Sequence, residues 1–191
     1  MTRTKAAIRS EIRDRLQGLD SQRKAEHDRR ILGRVMALPA FQRAQKVFCY
    51  LPLAHEVNTR PLVEALLEVH GVAYVPVTDL DERMLRVAEL TSMAELVEGA
   101  YGILEPADPR LVDPATIEVW IVPGIAFDAR GYRVGHGGGY FDAFFHAHST
   151  DALKIALAYA LQLVDAVPAS DHDVPVDLVV TEAEIWIAEA A

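Results

Sequence analysis

Cysteine is nearly absent from this chain of 191 residues, since Cys49 is the only one and lies within an apolar run. A disulfide framework and a zinc site built from several cysteines are therefore excluded. Basic residues are also outnumbered, with 19 Lys and Arg against 28 Asp and Glu, which gives a formal net charge of −9. General binders of nucleic acid or of anionic membrane surfaces normally have a basic face, so neither kind of partner is expected.

Long hydrophobic runs are missing as well. The longest uncharged apolar stretch, residues 155–164, is only about half the length of a membrane-spanning helix. The N-terminus is charged and has no hydrophobic signal region. These absences predict a cytoplasmic protein with no membrane partner. The length and an apolar content of 51% are typical of one domain with a substantial core, which we predict to span residues 1–191.

Helical periodicity is clearest in the N-terminal part of the chain. The spacing of apolar residues predicts a helix over residues 3–18. A second helix is expected over residues 21–38, with Asp20 as its N-cap and Pro39 at its end. A third is expected to begin after Asn58 or Thr59 and to end before Gly71. The apolar side of the first helix is predicted to contain Ala7, Ile8, Ile12 and Leu16.

Strand patterns alternate with these helices. A capping box formed by Ser92 and Glu95 predicts one further helix, and residues 140–148 predict another. Because strands and helices alternate, the chain is expected to adopt an α/β fold in layers with a largely parallel sheet. Strands are predicted at residues 46–51, 72–77, 85–90, 119–122, 154–159 and 176–181, and an edge strand at 184–188.

The most informative segment connects the strand at 119–122 to the helix at 140–148. Four glycines precede the helix: Gly135, Gly137, Gly138 and Gly139. Glycines at a helix start allow backbone N–H groups to converge on an anion, aided by the helix dipole. Arg130 and Arg133 upstream and Asp142 downstream suggest a site that serves phosphate and a divalent cation. The alternative is a flexible surface turn.

Two well-known phosphate motifs do not describe this segment. A P-loop is excluded because no Gly-Lys-Ser/Thr follows at the required spacing. A dinucleotide fingerprint is excluded because Tyr140 occupies the third glycine position counted from Gly135.

Other polar residues have structural as well as functional interpretations. Asp142 is favoured in the first turn of a helix by the dipole alone, and Asp173 lies in a loop before a strand. Mg²⁺ needs only one or two carboxylates besides phosphate and water, so these two aspartates could hold it. Lys5 and Arg9 share a helix face that is ordinarily solvated surface. Glu56 follows a strand, where α/β sheets often contact ligands, but an exposed loop carboxylate is an equal alternative.

Taken together, several motifs resemble the 5-formyltetrahydrofolate cyclo-ligase family, also called methenyltetrahydrofolate synthetase. The resemblance covers nearly the whole chain, and the long glycine motif is its most specific part. The motifs are KxxIR at 5–9, YLPL at 50–53, EVNT at 56–59, YGILEP at 101–106, VPGIAFD at 122–128, GYRVGHGGGYFD at 131–142 and the tail at 162–177.

The resemblance implies a monomeric enzyme that uses ATP and Mg²⁺ to convert 5-formyltetrahydrofolate to 5,10-methenyltetrahydrofolate. It implies a three-layer α/β/α sandwich similar to the sugar-phosphate isomerase and CoA-transferase group. Asp142 and Asp173 are implied as metal ligands, and Arg133 and Tyr140 as catalytic residues. The implied ATP-binding residues are Lys5, Arg9, Arg133, Val134, Gly135, His136, Gly137, Gly138, Gly139, Tyr140 and Phe141. The implied folate-binding residues are Leu51, Glu56, His136, Gly137, Gly138, Gly139 and Tyr140.

Some positions depart from the family's commonest pattern. Gly138 stands where many members have lysine, and Ala143 where arginine is common. His136 replaces a frequent tyrosine or arginine, and Phe141 a usual tyrosine. Fewer cations near the phosphates imply weaker ATP binding, while both aspartates and the glutamate are retained. Two other interpretations stay open: a non-catalytic folate or nucleotide binder of the same fold, and a sugar-phosphate or CoA-processing enzyme.

Overall fold

Five α-helices form in the part of the chain that the structure describes. This computed structural model describes residues 3–148 and 151–189. Thr4 Oγ1 accepts the Ala7 N–H at the start of the first helix, and the Asp20 carboxylate accepts two N–H groups at the start of the second. Side-chain caps therefore fix both helix starts. The helices are α1 (Lys5–Gln17), α2 (Ser21–Met36), α3 (Pro39–Arg43), α4 (Arg60–His70) and α5 (Tyr140–Ala147).

Twelve strands occur within the described residues, and eight of them form one sheet. The strands are β1 (Val47–Cys49), β2 (Ala73–Asp79), β3 (Met84–Leu90), β4 (Leu96–Glu98), β5 (Leu104–Pro106), β6 (Arg110–Leu111), β7 (Val119–Val122), β8 (Ala126–Phe127), β9 (Arg133–Val134), β10 (Leu153–Leu157), β11 (Leu178–Val180) and β12 (Ile185–Ile187).

The large sheet has the order β12–β11–β10–β7–β1–β2–β3–β6. Its middle strands, from β11 to β2, run parallel to one another. The outer strands β12, β3 and β6 pair antiparallel with their neighbours. Strands β4 and β5 form a separate hairpin, and β8 and β9 form another. The predicted α/β fold with a largely parallel sheet is confirmed.

Alternation along the strands separates two hydrophobic layers. In β7, Ile121 packs with the core that contains Ile8 and Ile12 of α1, whereas Trp120 packs with the core that contains Phe144 of α5. Successive strand residues point to opposite faces, so these apolar strands are buried on both sides. Helices α1, α2 and α4 cover one face and α5 covers the other, which gives the expected three layers.

Helix boundaries agree with the sequence prediction at several ends. Asp20 caps α2, and Gly71 ends α4 in the left-handed region with φ of 73°. Thr59 occupies the N-cap position of α4 without a capping hydrogen bond, while Asn58 Oδ1 accepts the Arg60 N–H. Of the apolar side predicted for α1, Ile8, Ile12 and Leu16 are buried, whereas Ala7 is exposed.

The helix predicted from the capping box at Ser92 and Glu95 is wrong. A single 3₁₀ turn, Met93–Glu95, is present, and the chain then enters β4. The capping box does not form: Ser92 Oγ accepts the Ala94 N–H and not that of Glu95, and the Glu95 carboxylate bonds to Thr91. The residues after this turn pair with β5, so hairpin hydrogen bonds replace those of a further helical turn.

Two further details differ from the prediction. Pro39 does not simply end a helix, because it also begins the short helix α3, where its missing N–H and fixed φ are tolerated. The hairpins β4–β5 and β8–β9 were not predicted, since their two- and three-residue strands carry too little periodicity.

The single cysteine lies in the core. Cys49 is fully buried, and burial raises the pKa of its thiol to about 12 although a hydrogen bond with Thr59 opposes the shift. The thiol therefore stays protonated near neutral pH and is a packing residue.

Candidate functional site

A cleft of about 850 Å³ opens at the carboxyl ends of the parallel strands β1, β2 and β7. This is the edge of an open α/β sheet at which ligands ordinarily bind. The cleft is lined by Lys5, Arg9, Tyr50, Leu51, Leu53, Glu56, Pro76, Thr78, Leu85, Tyr101, Ile103, Glu105, Pro123, Arg133, Gly135, His136, Gly137, Gly138, Gly139, Tyr140, Phe141, Asp142, Ala143, His146, Ala147, His172 and Asp173.

Nearly all residues that the resemblance implied lie on this one cleft. The exception is Val134, which is fully buried in β9 and does not line it. Arg130, which the sequence suggested for phosphate, is also elsewhere. Its guanidinium donates to Asp128 Oδ2 at 2.6 Å and to the Val167 carbonyl at 2.8 Å. Its charge is used to hold a loop, so the phosphate prediction for Arg130 is wrong.

Arg133 and Asp142 form one charged part of the cleft. The Arg133 guanidinium is 3% exposed and donates to Asp142 Oδ1 at 2.6 Å and to the Val174 carbonyl at 2.6 Å. Burial lowers the pKa of Arg133, and the carboxylates of Asp142 and Asp173 oppose that shift. A buried cation with this geometry is held in one orientation, facing the helix that follows the glycines.

Lys5 and Asp173 form a second ion pair beside the first. Lys5 at the start of α1 donates to Asp173 Oδ1, and Ser170 donates to Oδ2 from its backbone and its hydroxyl. Burial raises the pKa of Asp173, but the hydrogen bonds from Lys5 and Ser170 outweigh it and lower the pKa below its ordinary value. We name Lys5, Arg133, Asp142 and Asp173 the charged wall of the cleft.

The glycine loop, residues 135–139, is attached to α1 through Arg9. Arg9 Nε donates to the Gly135 carbonyl at 2.9 Å. Gly137 and Gly139 have φ of 115° and 71°, and Gly139 is the N-cap of α5. Residues other than glycine rarely adopt these angles, so this backbone path requires glycine at positions 137 and 139. The loop therefore ends with backbone N–H groups at a helix N-terminus, which favours an anion.

Apart from the charged wall, Glu56 meets the glycine loop. Glu56 Oε1 is 2.8 Å from His136 Nε2, and Oε2 accepts the Leu53 N–H at 2.8 Å. The Glu56 side chain is 8% exposed, so the interpretation as an exposed loop carboxylate is wrong. We name Glu56 and His136 the carboxylate–imidazole pair of the cleft, because the carboxylate faces an imidazole and not a Lys or Arg.

A buried network fixes the main chain at Glu56 from behind. The Tyr159 hydroxyl donates to Asp28 Oδ1 at 2.6 Å and contacts the Glu56 carbonyl at 3.3 Å. Lys24 pairs with the other oxygen of Asp28 at 3.1 Å. Burial raises the pKa of Tyr159 well above its usual range, with Asp28 adding to the shift, so the hydroxyl stays a donor. Satisfied buried networks of this kind rigidify the segment they contact.

Tyr140 meets a second tyrosine at the cleft. Its hydroxyl is 2.8 Å from the Tyr101 hydroxyl. This hydrogen bond, followed by burial, raises the pKa of Tyr140. Tyr101 has an uncommon positive φ of 58° in a segment that contributes several cleft residues. Backbone strain of this kind is often found at functional sites.

Known proteins resemble this chain over nearly its whole length. A sequence model of the 5-formyltetrahydrofolate cyclo-ligase family matches residues 1–182. The chain belongs to this family. The 5-formyltetrahydrofolate cyclo-ligase of Escherichia coli K12 is 31% identical over 179 residues, covering 92% of this chain and 98% of that protein. The mitochondrial 5-formyltetrahydrofolate cyclo-ligase of Arabidopsis thaliana is 28% identical over 207 residues, covering 95% and 75%.

Solved structures from the cyclo-ligase family have the same architecture. The NMR structure of Aquifex aeolicus 5,10-methenyltetrahydrofolate synthetase superposes with a TM-score of 0.85 at 29% identity, covering 98% of this chain and 94% of the other. The 5,10-methenyltetrahydrofolate synthetase from Mycoplasma pneumoniae has a TM-score of 0.75 at 22% identity, which supports the fold alone. The resemblance stated from the sequence motifs is thereby confirmed.

Sequence reasoning missed one side of the cleft. Pro76 and Thr78 come from β2 and Leu85 from β3, and no motif distinguished them. Tyr101 and Glu105 belong to the family motif at 101–106, to which no role was given. Glu105 is 9% exposed, and its Oε1 accepts the Thr78 N–H at 3.1 Å. The signal available in the sequence was a single acid after two apolar residues and before a proline, at 103–106, since such a context is unusual for a surface acid.

The helices among the described residues are too short or too polar to cross a lipid bilayer.

Proposed function

We propose that this chain converts 5-formyltetrahydrofolate to 5,10-methenyltetrahydrofolate at the expense of ATP, releasing ADP and phosphate. The observation that carries the proposal is that one cleft joins an anion-binding glycine loop to a buried carboxylate. Arg9 donates to Gly135 of the loop, and His136 of the same loop contacts Glu56. Membership of the cyclo-ligase family supports the same reaction.

The chemistry explains why a phosphate site and a folate site must adjoin. The formyl oxygen on N5 is a poor leaving group, so direct ring closure would have to expel hydroxide. Transfer of the γ-phosphoryl group to that oxygen forms an O–P bond and releases ADP. N10 then attacks the formyl carbon, the carbon–oxygen bond breaks, and phosphate leaves as N10 loses its proton. The protein has to align two substrates and offset charge, which needs no protein nucleophile.

The charged wall and the glycine loop suit the nucleotide. Backbone N–H groups at residues 135–139 and at the start of α5 are suited to phosphate oxygens. Lys5 and Arg9 on α1 and the buried Arg133 supply positive charge at the same cleft. We assign Arg133 to stabilising the transferred phosphoryl group, since its guanidinium is already oriented by Asp142 and Val174.

Asp142 and Asp173 have a donor set that fits Mg²⁺. Both line the cleft, and Oδ2 of Asp142 has no hydrogen-bond partner among the described residues. Mg²⁺ is ordinarily held by one or two carboxylates together with phosphate oxygens and water. The ion would offset phosphate charge. When the nucleotide and Mg²⁺ are bound, Lys5 would leave Asp173 and pair with the nucleotide phosphates, since the Lys5–Asp173 ion pair is partly exposed.

The carboxylate–imidazole pair suits the folate. Glu56 keeps its carboxylate aimed at His136 because Leu53 holds the other oxygen, so it can orient an N–H group of the folate. Leu51 supplies an apolar surface beside it, and Tyr140 a hydroxyl. We assign Tyr140 to positioning the formyl group, since its hydroxyl already donates or accepts at the cleft.

We also propose that the chain acts as one domain and as a monomer. Residues from α1, the glycine loop and the segment that contains Asp173 close the cleft within one chain. A cytoplasmic location and the absence of a nucleic-acid partner stay predictions from composition. Sedimentation velocity tests the oligomeric state, because a dimer at catalytic concentrations would contradict it.

The experiment is a coupled measurement on the full chain. Protein, MgATP and 5-formyltetrahydrofolate are mixed at mildly acidic pH, and the methenyl chromophore is followed in the near ultraviolet while ADP is measured separately. We expect equal amounts of both products, and none when ATP or Mg²⁺ is omitted. Binding of either ligand without turnover would instead support a non-catalytic binder. ADP release without the chromophore would mean another acceptor.

A further inference from the structure

Three metal-binding side chains meet at the border of the cleft. Glu56 and His136 line the cleft, and His55 lines a smaller cavity next to Glu56. His55, Glu56 and His136 each offer one ligand atom, and the three atoms lie within 4.8 Å of one another. The two imidazole rings have centroids 5.1 Å apart. None of the folate or nucleotide roles given above uses His55. The cluster combines two imidazoles with one carboxylate, which is a common ligand set for catalytic zinc.

His55 carries an unsatisfied polar atom. Its Nε2 is buried and has no hydrogen-bond partner among the described residues. Buried polar atoms are nearly always paired, so such an exception requires an explanation, for example an ion. In the tautomer with its proton on Nδ1, His55 presents a lone pair on Nε2, which is the form that binds a transition metal.

Glu56 is already oriented as a metal ligand would be. The Leu53 N–H holds Oε2, which leaves Oε1 directed at His136 Nε2 at 2.8 Å. A hydrogen bond to the second oxygen is the usual outer contact that fixes a ligating carboxylate. The proton shared between Glu56 and His136 lies where a cation could replace it.

We propose that His55, Glu56 and His136 form a zinc-binding site. Zinc accepts nitrogen and oxygen ligands together, whereas Mg²⁺ prefers oxygen alone. Ligand atoms on a tetrahedral zinc ion are on the order of 3.3 Å apart, so the cluster has to contract slightly. His136 can move because it lies between Gly135 and Gly137. Three protein ligands leave the fourth position to water.

Neighbouring charges limit how tightly the ion is held. Arg13 and Lys24 lie close enough to His55 to disfavour a second positive charge there. The Glu56 carboxylate opposes them. We therefore expect reversible binding that follows the zinc concentration, in contrast to a permanent structural site.

Occupation by zinc should exclude the folate. This consequence rests on the proposed function, because it depends on the assignment of Glu56 and His136 to folate binding. The same two side chains cannot ligate zinc and orient the substrate at once. Zinc would then inhibit turnover in competition with 5-formyltetrahydrofolate.

The first test measures binding of Zn²⁺ alone to the full chain, by titration calorimetry in a buffer that does not chelate metals. We expect one Zn²⁺ per chain, bound at least about tenfold more weakly by H55A and by His136→Gln. The matched control is H70A, which removes a half-buried histidine from the end of α4, away from the cleft. Thermal unfolding checks that each variant is folded.

Cobalt substitution gives a second readout that does not depend on activity. Co²⁺ held by two imidazoles and a carboxylate in a four-coordinate site absorbs strongly in the visible, and H55A should lose that absorption. Absence of stoichiometric Zn²⁺ binding overturns the proposal. So does binding that H55A leaves unchanged, because the ion would then lie elsewhere in the chain.

The third measurement separates this site from the proposed reaction. Micromolar Zn²⁺ should raise the KM for 5-formyltetrahydrofolate in the wild-type chain and in H70A, and H55A should resist it with unchanged basal turnover. If the chain showed no cyclo-ligase activity, the binding and cobalt measurements would still test the site. Zinc that binds through His55 without competing with folate would overturn the inhibitory consequence.

Discussion

The carboxylates on the two sides of the cleft have different partners. On the charged wall, Asp142 and Asp173 each contact a permanent cation, Arg133 and Lys5. In the carboxylate–imidazole pair, Glu56 faces only His136 and a backbone N–H. A wall of ion pairs can exchange partners with a triphosphate and a metal ion at little cost in net charge. A carboxylate beside an imidazole is suited to orienting a substrate by hydrogen bonds.

Support for the two sides also differs. On the charged wall, a Lys or Arg side chain holds each carboxylate in an ion pair. Glu56 is held by its own loop through Leu53 and from behind by Tyr159. We therefore expect changes on the charged wall to affect the chemical step, and changes around Glu56 to affect folate affinity.

The largest effect should come from Asp142→Asn. It removes a proposed metal ligand and leaves the buried Arg133 without its carboxylate, so kcat should fall about 100-fold or more. Stability should fall by roughly 2 kcal/mol, below the full cost of breaking a buried pair because a quarter of the Asp142 side chain is exposed. Steady-state assays and urea unfolding measure both. The control is D165N, which changes an exposed aspartate and should alter neither.

Folate affinity after D142N decides whether the two sides are separate. Near-normal turnover by D142N would remove Asp142 from the metal role. A large loss of folate binding, measured by fluorescence titration, would contradict the division between the two sides.

Glu56→Gln should give the opposite pattern. Loss of a hydrogen bond to a charged group costs about 1.5–3 kcal/mol, which predicts a KM for 5-formyltetrahydrofolate raised roughly 10- to 100-fold. The KM for ATP should change little, because Glu56 does not belong to the charged wall. Initial rates with each substrate varied in turn check this, and an equal rise in both KM values would argue against separate sides.

Tyr159→Phe should have a smaller effect that reaches Glu56 indirectly. It removes the hydroxyl that contacts Asp28 and the Glu56 carbonyl, and leaving these buried acceptors unpaired should cost about 1–3 kcal/mol. Urea unfolding measures the loss, and the folate KM should rise several-fold with kcat nearly unchanged. Y132F is the matched control, since the Tyr132 hydroxyl makes no hydrogen bond among the described residues. Equal losses in both variants would mean that the network does not position Glu56.

The smallest effect is expected at the glycine loop that joins the two sides. Gly139 has φ of 71°, so G139A should cost about 1 kcal/mol of stability through backbone strain. Gly135 does not have a positive φ, and a Cβ there meets nothing within 4 Å, so G135A should cost only a few tenths. Thermal unfolding compares them. Similar losses would mean that the left-handed cap of α5 is not what requires glycine.

Local patterns predicted much of this molecule. Most of the apolar face of α1, the Asp20 cap of α2 and the ends of α4 were readable because a helix needs an apolar stripe and satisfied ends. The apolar run of β7 predicted a buried strand for the same kind of reason. The capping box at Ser92 failed, since the residues that would continue the helix pair with β5 in a hairpin instead.

The glycine motif and the family resemblance were likewise present in the order of residues alone. They identified the charged residues of the glycine loop, α1 and the Asp173 segment that line the cleft, but not Thr78, Tyr101, Glu105, His146 or His172. They also suggested Arg130, whose charge the fold instead directs to Asp128. Sequence order gives residue types and local spacing, but the direction of a side chain depends on which elements pack around it.

What the amino-acid order determined by itself was therefore the class of fold, the family and the position of the glycine loop, because periodicity and glycine requirements act over a few residues. Only the tertiary structure decided which charges meet. Arg133 is paired with Asp142, Lys5 with Asp173, and Glu56 with His136, next to His55. These partners lie up to 168 residues apart. Their meeting depends on the strand order of the sheet, which no local pattern encodes.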